Sequence, residues 1–424
     1  MTGARAGHAG RRWLGRQTAR AAGRVVVLAS VAAVLTMPAG SPPVGEGTIR
    51  MTDDPVLRPG PVLATWGSNI YGQLGNGQTG GSVTSAVQVN MPAGTSLAQV
   101  SGGCDGALAL TSSGQILAWG GNSNGQLGIG KRGGSYPVPV PVAVPAGVRI
   151  TQVRTNCKYS LALTSTGRVL AWGDNSVGEL GTGQRAEISA VPSWVRLPPR
   201  TKVTSVSTGG DFAMALTARG QLFAWGLNDV GQLGTGTHQR SPVPVRVRLP
   251  ARTKVISVAA GGQYSLALTS KGHLLAWGDN SSGQFGDGTT RSRLRPGRVF
   301  LPTGTKLTQI SVSGDFSLAI TTARQVLSWG RNFRGDLGDG TVSDRRRPVT
   351  VRLPRGAKAI AVSAGGGYGL ALTTTGRVLA WGSNESGELG DGSARQRVLP
   401  VAVWLPAHVT GIAAGEVNGY AILG

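Results

Sequence analysis

The chain has 424 residues with 68 Gly, 23 Pro and 14% charged residues; Gly without a Gly-X-Y period excludes collagen, and 40% hydrophobic residues exclude disorder. The formal net charge is +23, or +17 once the six Arg of residues 1–40 are set aside. Such a surface favours anionic partners, although with only seven Lys the excess is carried by Arg, which reads equally well as coding bias.

Residues 1–40 read as an export signal. Arg5, Arg11, Arg12, Arg16, Arg20 and Arg24 form a basic region, VVVLASVAAVL (25–35) an apolar one, and small residues follow. The apolar run is short for a bilayer span, so cleavage and secretion are expected rather than anchoring. Residues 41–60 are a Pro/Gly-rich lead-in, and 61–424 the folded domain.

From residue 61 onward the chain repeats. Trp66, Trp119, Trp172, Trp225, Trp277, Trp329 and Trp381 each precede a Gly, at separations of 52 or 53 residues, in segments such as AWGDNSSGQFGDG (276–288). A fixed period of this size with two-residue alternation means a β-array or a propeller. In one period, 203–208, 212–218, 221–226 and 243–250 read as four short strands, which is one propeller blade. The Trp fills the gap between neighbouring sheets, the Asn caps a turn, and the Leu of Gly-Gln-Leu-Gly pins the loop to the sheet.

The ends predict closure. VLATWG (62–67) has no strand pair before it, and VTGIAAGEVNGYAIL (409–423) has no Trp-Gly after it. Joining them in one blade removes two exposed sheet edges. The expected fold is all-β: a seven-bladed β-propeller with four antiparallel strands per blade, its closing blade shared by N- and C-terminal strands.

The unit GGxxYSLALTxxGxxLAWGxNxxGQLGxG resembles the repeat of the regulator-of-chromosome-condensation family over about residues 61–423. That resemblance implies the same seven-bladed closure, and functions that include nucleotide exchange on a small GTPase, chromatin binding, light sensing and scaffolding. The chain departs from the family where His usually precedes Ser-Leu-Ala-Leu: it has Tyr159, Phe212, Tyr264, Phe316 and Tyr368, with Gly106 and Asn418 in the other copies. No period is long enough to hold an extra wedge, and only Trp13, Trp194 and Trp404 lie outside the Trp-Gly units.

Chemistry is sparse. The four His, at 8, 238, 273 and 408, share no metal spacing, and no CxxC occurs. Gly-Asp-Gly at Asp287, Asp339 and Asp391 reads as a surface turn, since another copy has Ile129 there. No cofactor or metal is expected, and no enzyme. Cys104 and Cys157 stand one period apart on adjacent blades, placed for a disulfide or for two free thiols in a small-residue slot.

Two sets of residues are candidate partner contacts. Tyr159, Phe212, Tyr264, Phe316 and Tyr368 share one phase of the ring, and either pack between blades or line one mouth. Arg345, Arg346 and Arg347 head a basic tract (343–356) that is either a solvated edge or a contact, as are Trp194 and Trp404 near the ends of outer strands. The expected function is a secreted, non-enzymatic interaction scaffold. Its variants are an inhibitor of a secreted enzyme, similar to propeller-type β-lactamase inhibitory proteins, and a wall or polyanion binder. A hydrolase or a guanine-nucleotide exchange factor is least expected. The expected partner is an unknown protein or an anionic polymer, bound by a monomer whose mature chain crosses no membrane.

Overall fold

The computed structural model describes residues 63–424 apart from 186 and 300. The segments read from sequence as an export signal (1–40) and a lead-in (41–60) lie outside the described residues.

Short alternating runs bounded by Gly and Pro form seven four-stranded antiparallel sheets, and no helix occurs among the described residues. Blades 1 to 6 begin at inner strands Leu97–Gly102, Ile150–Thr155, Val203–Thr208, Val255–Ala260, Leu307–Ser313 and Ala359–Ala364. Blade 7 joins the ends. Val409–Ala414 is its inner strand, Asn418–Leu423 follows, and Leu63–Ser68 and Ser82–Gln88 complete it. Leu63 pairs with Ile422 and Gly67 with Asn418, while the Asn418 Nδ2 donates to the Ser68 carbonyl at 2.5 Å. The edge that each terminus would expose alone is thus consumed by the other. Blade 3 differs from expectation in its outer strand, which is Ser241–Arg246 rather than 243–250. Beyond it Val247 still donates to the Leu222 carbonyl, but the Leu249 N–H turns back to Val247 and the chain leaves the sheet.

The repeat residues build the seams between blades. All seven Trp are buried, and each indole N–H donates to a main-chain carbonyl in the loop of the preceding blade. Trp381 reaches Asp336 at 2.9 Å, and Trp66 reaches Glu388 at 2.7 Å across the closure. The Asn three residues after each Trp accepts from the N–H five residues on, as Asn332 does from Leu337 at 2.9 Å, and that Leu is buried against the sheet. One buried polar group breaks the pattern. Arg154, on the inner strand of blade 2, is 2% exposed, faces no carboxylate, and leaves its Nε without an acceptor. Burial holds its pKa down at about 10, so it is still charged at neutral pH and uncompensated. Arg154→Met should raise stability by about 1–3 kcal/mol in urea unfolding; a loss of stability would mean the guanidinium holds an anion in the channel.

Candidate functional site

The turn after each inner strand rises at one mouth of the central channel. Its apical residues are Cys104, Cys157, Gly210, Gly262, Gly314, Gly366 and Glu416 in blades 1 to 7. The turns touch around the axis. Gly210 N–H donates to the Gly262 carbonyl at 3.1 Å, Gly366 N–H to Glu416 at 3.0 Å, and Glu416 N–H to Gly103 at 3.0 Å. A Cβ at Gly210 or Gly366 would strike the neighbouring carbonyl, which is why Gly recurs there. Between blades 1 and 2 the contact is covalent: Cys104 and Cys157 form a disulfide with Cα atoms 4.5 Å apart.

The long loop after each Trp-Gly is tied to the same turns, as when Arg331 N–H donates to the Asp315 carbonyl and Ser383 N–H to Gly367. Inner turns and long loops therefore share one face, and every described carboxylate lies in one or the other. The opposite face, built from strand hairpins and interblade links, carries Arg149, Arg168, Lys202, Arg219, Lys254, Lys271, Lys306, Arg324, Lys358 and Arg377, and no acid. Arg200, Arg252 and Arg324 take left-handed backbone there, with φ of 61°, 56° and 61°, where other repeats use Gly. The propeller is thus polar along its axis, acidic at the inner-turn mouth and basic opposite.

A cavity of about 150 Å³ opens at that mouth between blades 5, 6 and 7, lined by Asp315, Arg331, Phe333, Arg334, Asp336 and Glu416 around the Gly366–Gly367 turn. Asp336 is only 1% exposed and its Oδ1 accepts no hydrogen bond; Glu416 Oε2 is likewise buried without a donor. Burial first, then the neighbouring Asp105 and Glu388, push the Glu416 carboxyl up to about 8. Burial also pushes Asp336 up to about 7, against the opposing pull of Arg331 and Arg334. At the rim Phe333 is 47% exposed, with the Arg331 and Arg334 guanidiniums 4.0 and 4.9 Å from its ring centre. Arg331 pairs with Asp315 at 3.2 Å and Arg334 with Glu385 at 3.4 Å. The group of three metal-capable side chains found among the described residues is Cys104, Cys157 and Glu416, in which both sulfurs are committed to the disulfide.

The residues singled out from sequence fall elsewhere. Tyr159, Phe212, Tyr264, Phe316 and Tyr368 are buried between blades, so their place among partner contacts is corrected. The three tyrosine hydroxyls serve the seams: Tyr264 donates to the Phe316 carbonyl at 2.6 Å and Tyr368 to Asn418 at 2.5 Å. Arg345 is drawn inward by Asp339 at 2.7 Å, and Arg397 pairs with Asp391 at 2.8 Å, so the Gly-Asp-Gly turns anchor outer strands. Both aspartates lie below the usual carboxylate range: hydrogen bonds from Thr341 or Ser393 and from the arginine outweigh partial burial. Arg346 and Arg347 remain exposed on the outer strand of blade 5. Trp194 is half-buried under Arg168, 3.5 Å from the ring centre, and Trp404 is 65% exposed on blade 6. These positions do not converge. Sequence reasoning missed Asp336, Glu416 and Phe333, yet a signal existed: Glu416 is the one acid at a position otherwise Gly or Cys, and Asp336 the one short acid where other copies have Gln or Glu.

A closed seven-bladed ring with paired termini, indole-locked seams and a built mouth on one face defines a propeller of the chromosome-condensation type. The chain belongs to the RCC1-like domain family, whose model matches residues 62–419. It is 32% identical over 345 residues to the ultraviolet-B receptor UVR8 of Arabidopsis thaliana, covering 81% of this chain and 78% of the receptor. It is 31% identical over 342 residues to the human E3 ubiquitin-protein ligase HERC2, covering 80% of this chain but only 7% of HERC2. Among solved structures, Prp20p of Saccharomyces cerevisiae, described with its binding properties to Gsp1p and histones, superimposes with a TM-score of 0.76 at 23% identity, over 86% of this chain and 92% of that one. These relatives overturn the expectation of a secreted scaffold, with its inhibitor and wall-binding variants. They are a receptor and a ligase, neither described as a secreted scaffold, while Prp20p shares the fold. The protein half of the partner expectation agrees with them.

Proposed function

We propose that this chain is a regulatory propeller that acts by holding a protein partner on its inner-turn face. The observation that carries this reading is the mouth itself: two buried carboxylates, each with one oxygen that has no donor, beside an exposed Phe333, on a face bearing every described acid. A rigid ring displays such a surface with little ordering cost, which suits recognition. Exposed aromatics beside charged groups are the usual anchors of protein interfaces. The relatives lend support because one is an E3 ubiquitin-protein ligase and another is described with its binding to Gsp1p and histones. The activity this docking reading assigns is remodelling of the held partner, as in nucleotide exchange on a GTPase.

Affinity capture with the full chain, followed by a carboxylate-directed dihydrazide cross-linker, tests the reading. Cross-links from the partner should map to Asp105, Asp211 and Asp315, which are on this face. Cross-links only at Asp229 and Asp344, long-loop acids that stand beside the outer strands rather than at the inner turns, would move the interface off the mouth and refute it. If the captured partner binds GTP, release of a fluorescent GDP analogue should accelerate on adding the chain.

A further inference from the structure

The docking face contains a cavity lined by two carboxylates that each bury an oxygen with nothing to bond. Asp336 Oδ1 approaches from the long loop of blade 5, and Glu416 Oε2 from the inner turn of blade 7. They flank the side-chain-free turn of blade 6. A Cβ at Gly367 would lie 3.3 Å from Asp336 Oδ1, and one at Gly366 would lie 2.7 Å from Glu416 Oε1. The space is therefore held open by two adjacent glycines and floored by oxygens from both neighbouring blades. We propose that this cavity receives the ammonium end of a lysine side chain carried by the partner protein; the proposal rests on the reading of this face as the docking face.

The chemistry selects the group. An occupant must supply hydrogen-bond donors and positive charge, because an unpaired buried carboxylate is costly and a donor cation removes that cost. The charges around the cavity leave room for one. Asp315, Asp336, Glu385 and Glu416 face Arg331 and Arg334, and both arginines are already paired at the rim. Asp105, Asp344 and Glu388, the other charged groups that bear on these carboxyls, add only negative potential. Size excludes a whole peptide: about 150 Å³ admits one side-chain end. The exposed Phe333 at the rim gives the butyl stem an apolar wall to lie along.

Geometry favours ammonium over guanidinium. A guanidinium fork takes both oxygens of one carboxylate. One oxygen of Asp336 is already engaged by the Arg334 main-chain N–H, and the two oxygens buried without a donor, Asp336 Oδ1 and Glu416 Oε2, stand on different blades. Three tetrahedral N–H donors fit that better than a planar fork.

The test uses the full chain and three probes, followed by ligand-observed NMR at pH 8.5: Nα-acetyl-lysine methylamide, its Nε-acetylated form, and Nα-acetyl-arginine methylamide. The free lysine probe should bind at least about tenfold more tightly than the acetylated one, a factor worth about 1.4 kcal/mol. It should also bind more tightly than the arginine probe. Asp336→Asn and Glu416→Gln should each weaken it at least about fivefold. In the unmodified chain, affinity should fall about tenfold on lowering the pH from 8.5 to 6, as the carboxyls take up protons; this arm stands even if a variant misfolds. Equal binding of lysine and Nε-acetyl-lysine, a flat pH profile, or tighter binding of arginine would each overturn the proposal. Those outcomes leave the docking face intact if cross-links still map there. Cross-links elsewhere with a lysine-selective cavity would remove the docking reading instead.

Discussion

Trp381→Ala will lower the unfolding free energy by about 3–5 kcal/mol, read from the urea midpoint at constant m-value. The indole is fully buried, fills the seam between blades 5 and 6, and donates to the Asp336 carbonyl at 2.9 Å. Truncation removes the packing, leaves a cavity and orphans that carbonyl. Trp381→Phe separates these effects. It retains most of the apolar volume but not the donor, so it should cost about 1–3 kcal/mol. An alanine variant within about 1 kcal/mol of the parent would mean the seams do not depend on the repeat Trp. The same substitution at Trp66 should cost as much, because its seam is equivalent although its partner Glu388 lies 322 residues away in sequence.

Stability will fall as pH rises from about 4 to about 8. Three buried carboxyls set the slope: Glu179 and Asp336, pushed up to about 7, and Glu416, pushed up to about 8, in each case chiefly by burial. Unfolded, they titrate near the ordinary values of 4.5 for Glu and 3.8 for Asp. Below those values both states hold the proton, and the native state bears no penalty. As pH climbs, the unfolded chain releases protons that the native chain retains. Stability is then lost until pH passes the native values, and it levels off above about 8. Each fully buried carboxyl contributes on the order of 2–4 kcal/mol to the loss, an upper figure since water and relaxation soften it. The variant Glu179→Gln, Asp336→Asn, Glu416→Gln should be more stable than the parent at pH 8, indistinguishable at pH 4, and nearly flat between. Glu179→Gln is the mildest change, because Gln73, Gln126, Gln232 and Gln284 already occupy that position and cap the same turn. Matching pH slopes for parent and variant would show that these carboxyls titrate normally in the fold.

The architecture was legible because the repeat is physical. An indole every 52 or 53 residues, a turn-capping Asn and a period-two pattern admit few folds, and the phase mismatch at the two ends leaves ring closure as the economical solution. The site was not legible for the complementary reason. Tyr159, Phe212, Tyr264, Phe316 and Tyr368 stood out by regularity, and regularity in a propeller reports seams, so they are buried. Arg345 stood out by charge, and its charge is spent on Asp339. Glu416 and Asp336 lie 80 residues apart and break the pattern singly; only the stacking of successive blades 5, 6 and 7 brings both to one cavity. In a repeat protein, the copy that deviates is a better pointer to function than the residue that recurs.

Removing Val409–Gly424 tests most directly whether the two ends of the chain close the ring. The truncated chain loses the inner half of blade 7 and Glu416 together, and bares the edge of Leu63–Ser68. Closure predicts that it melts well below the full chain, loses its single cooperative transition, and associates with increasing concentration through the bared strand. A truncated chain with the melting temperature, cooperativity and association state of the full chain would contradict closure, and with it the mouth where the partner is held.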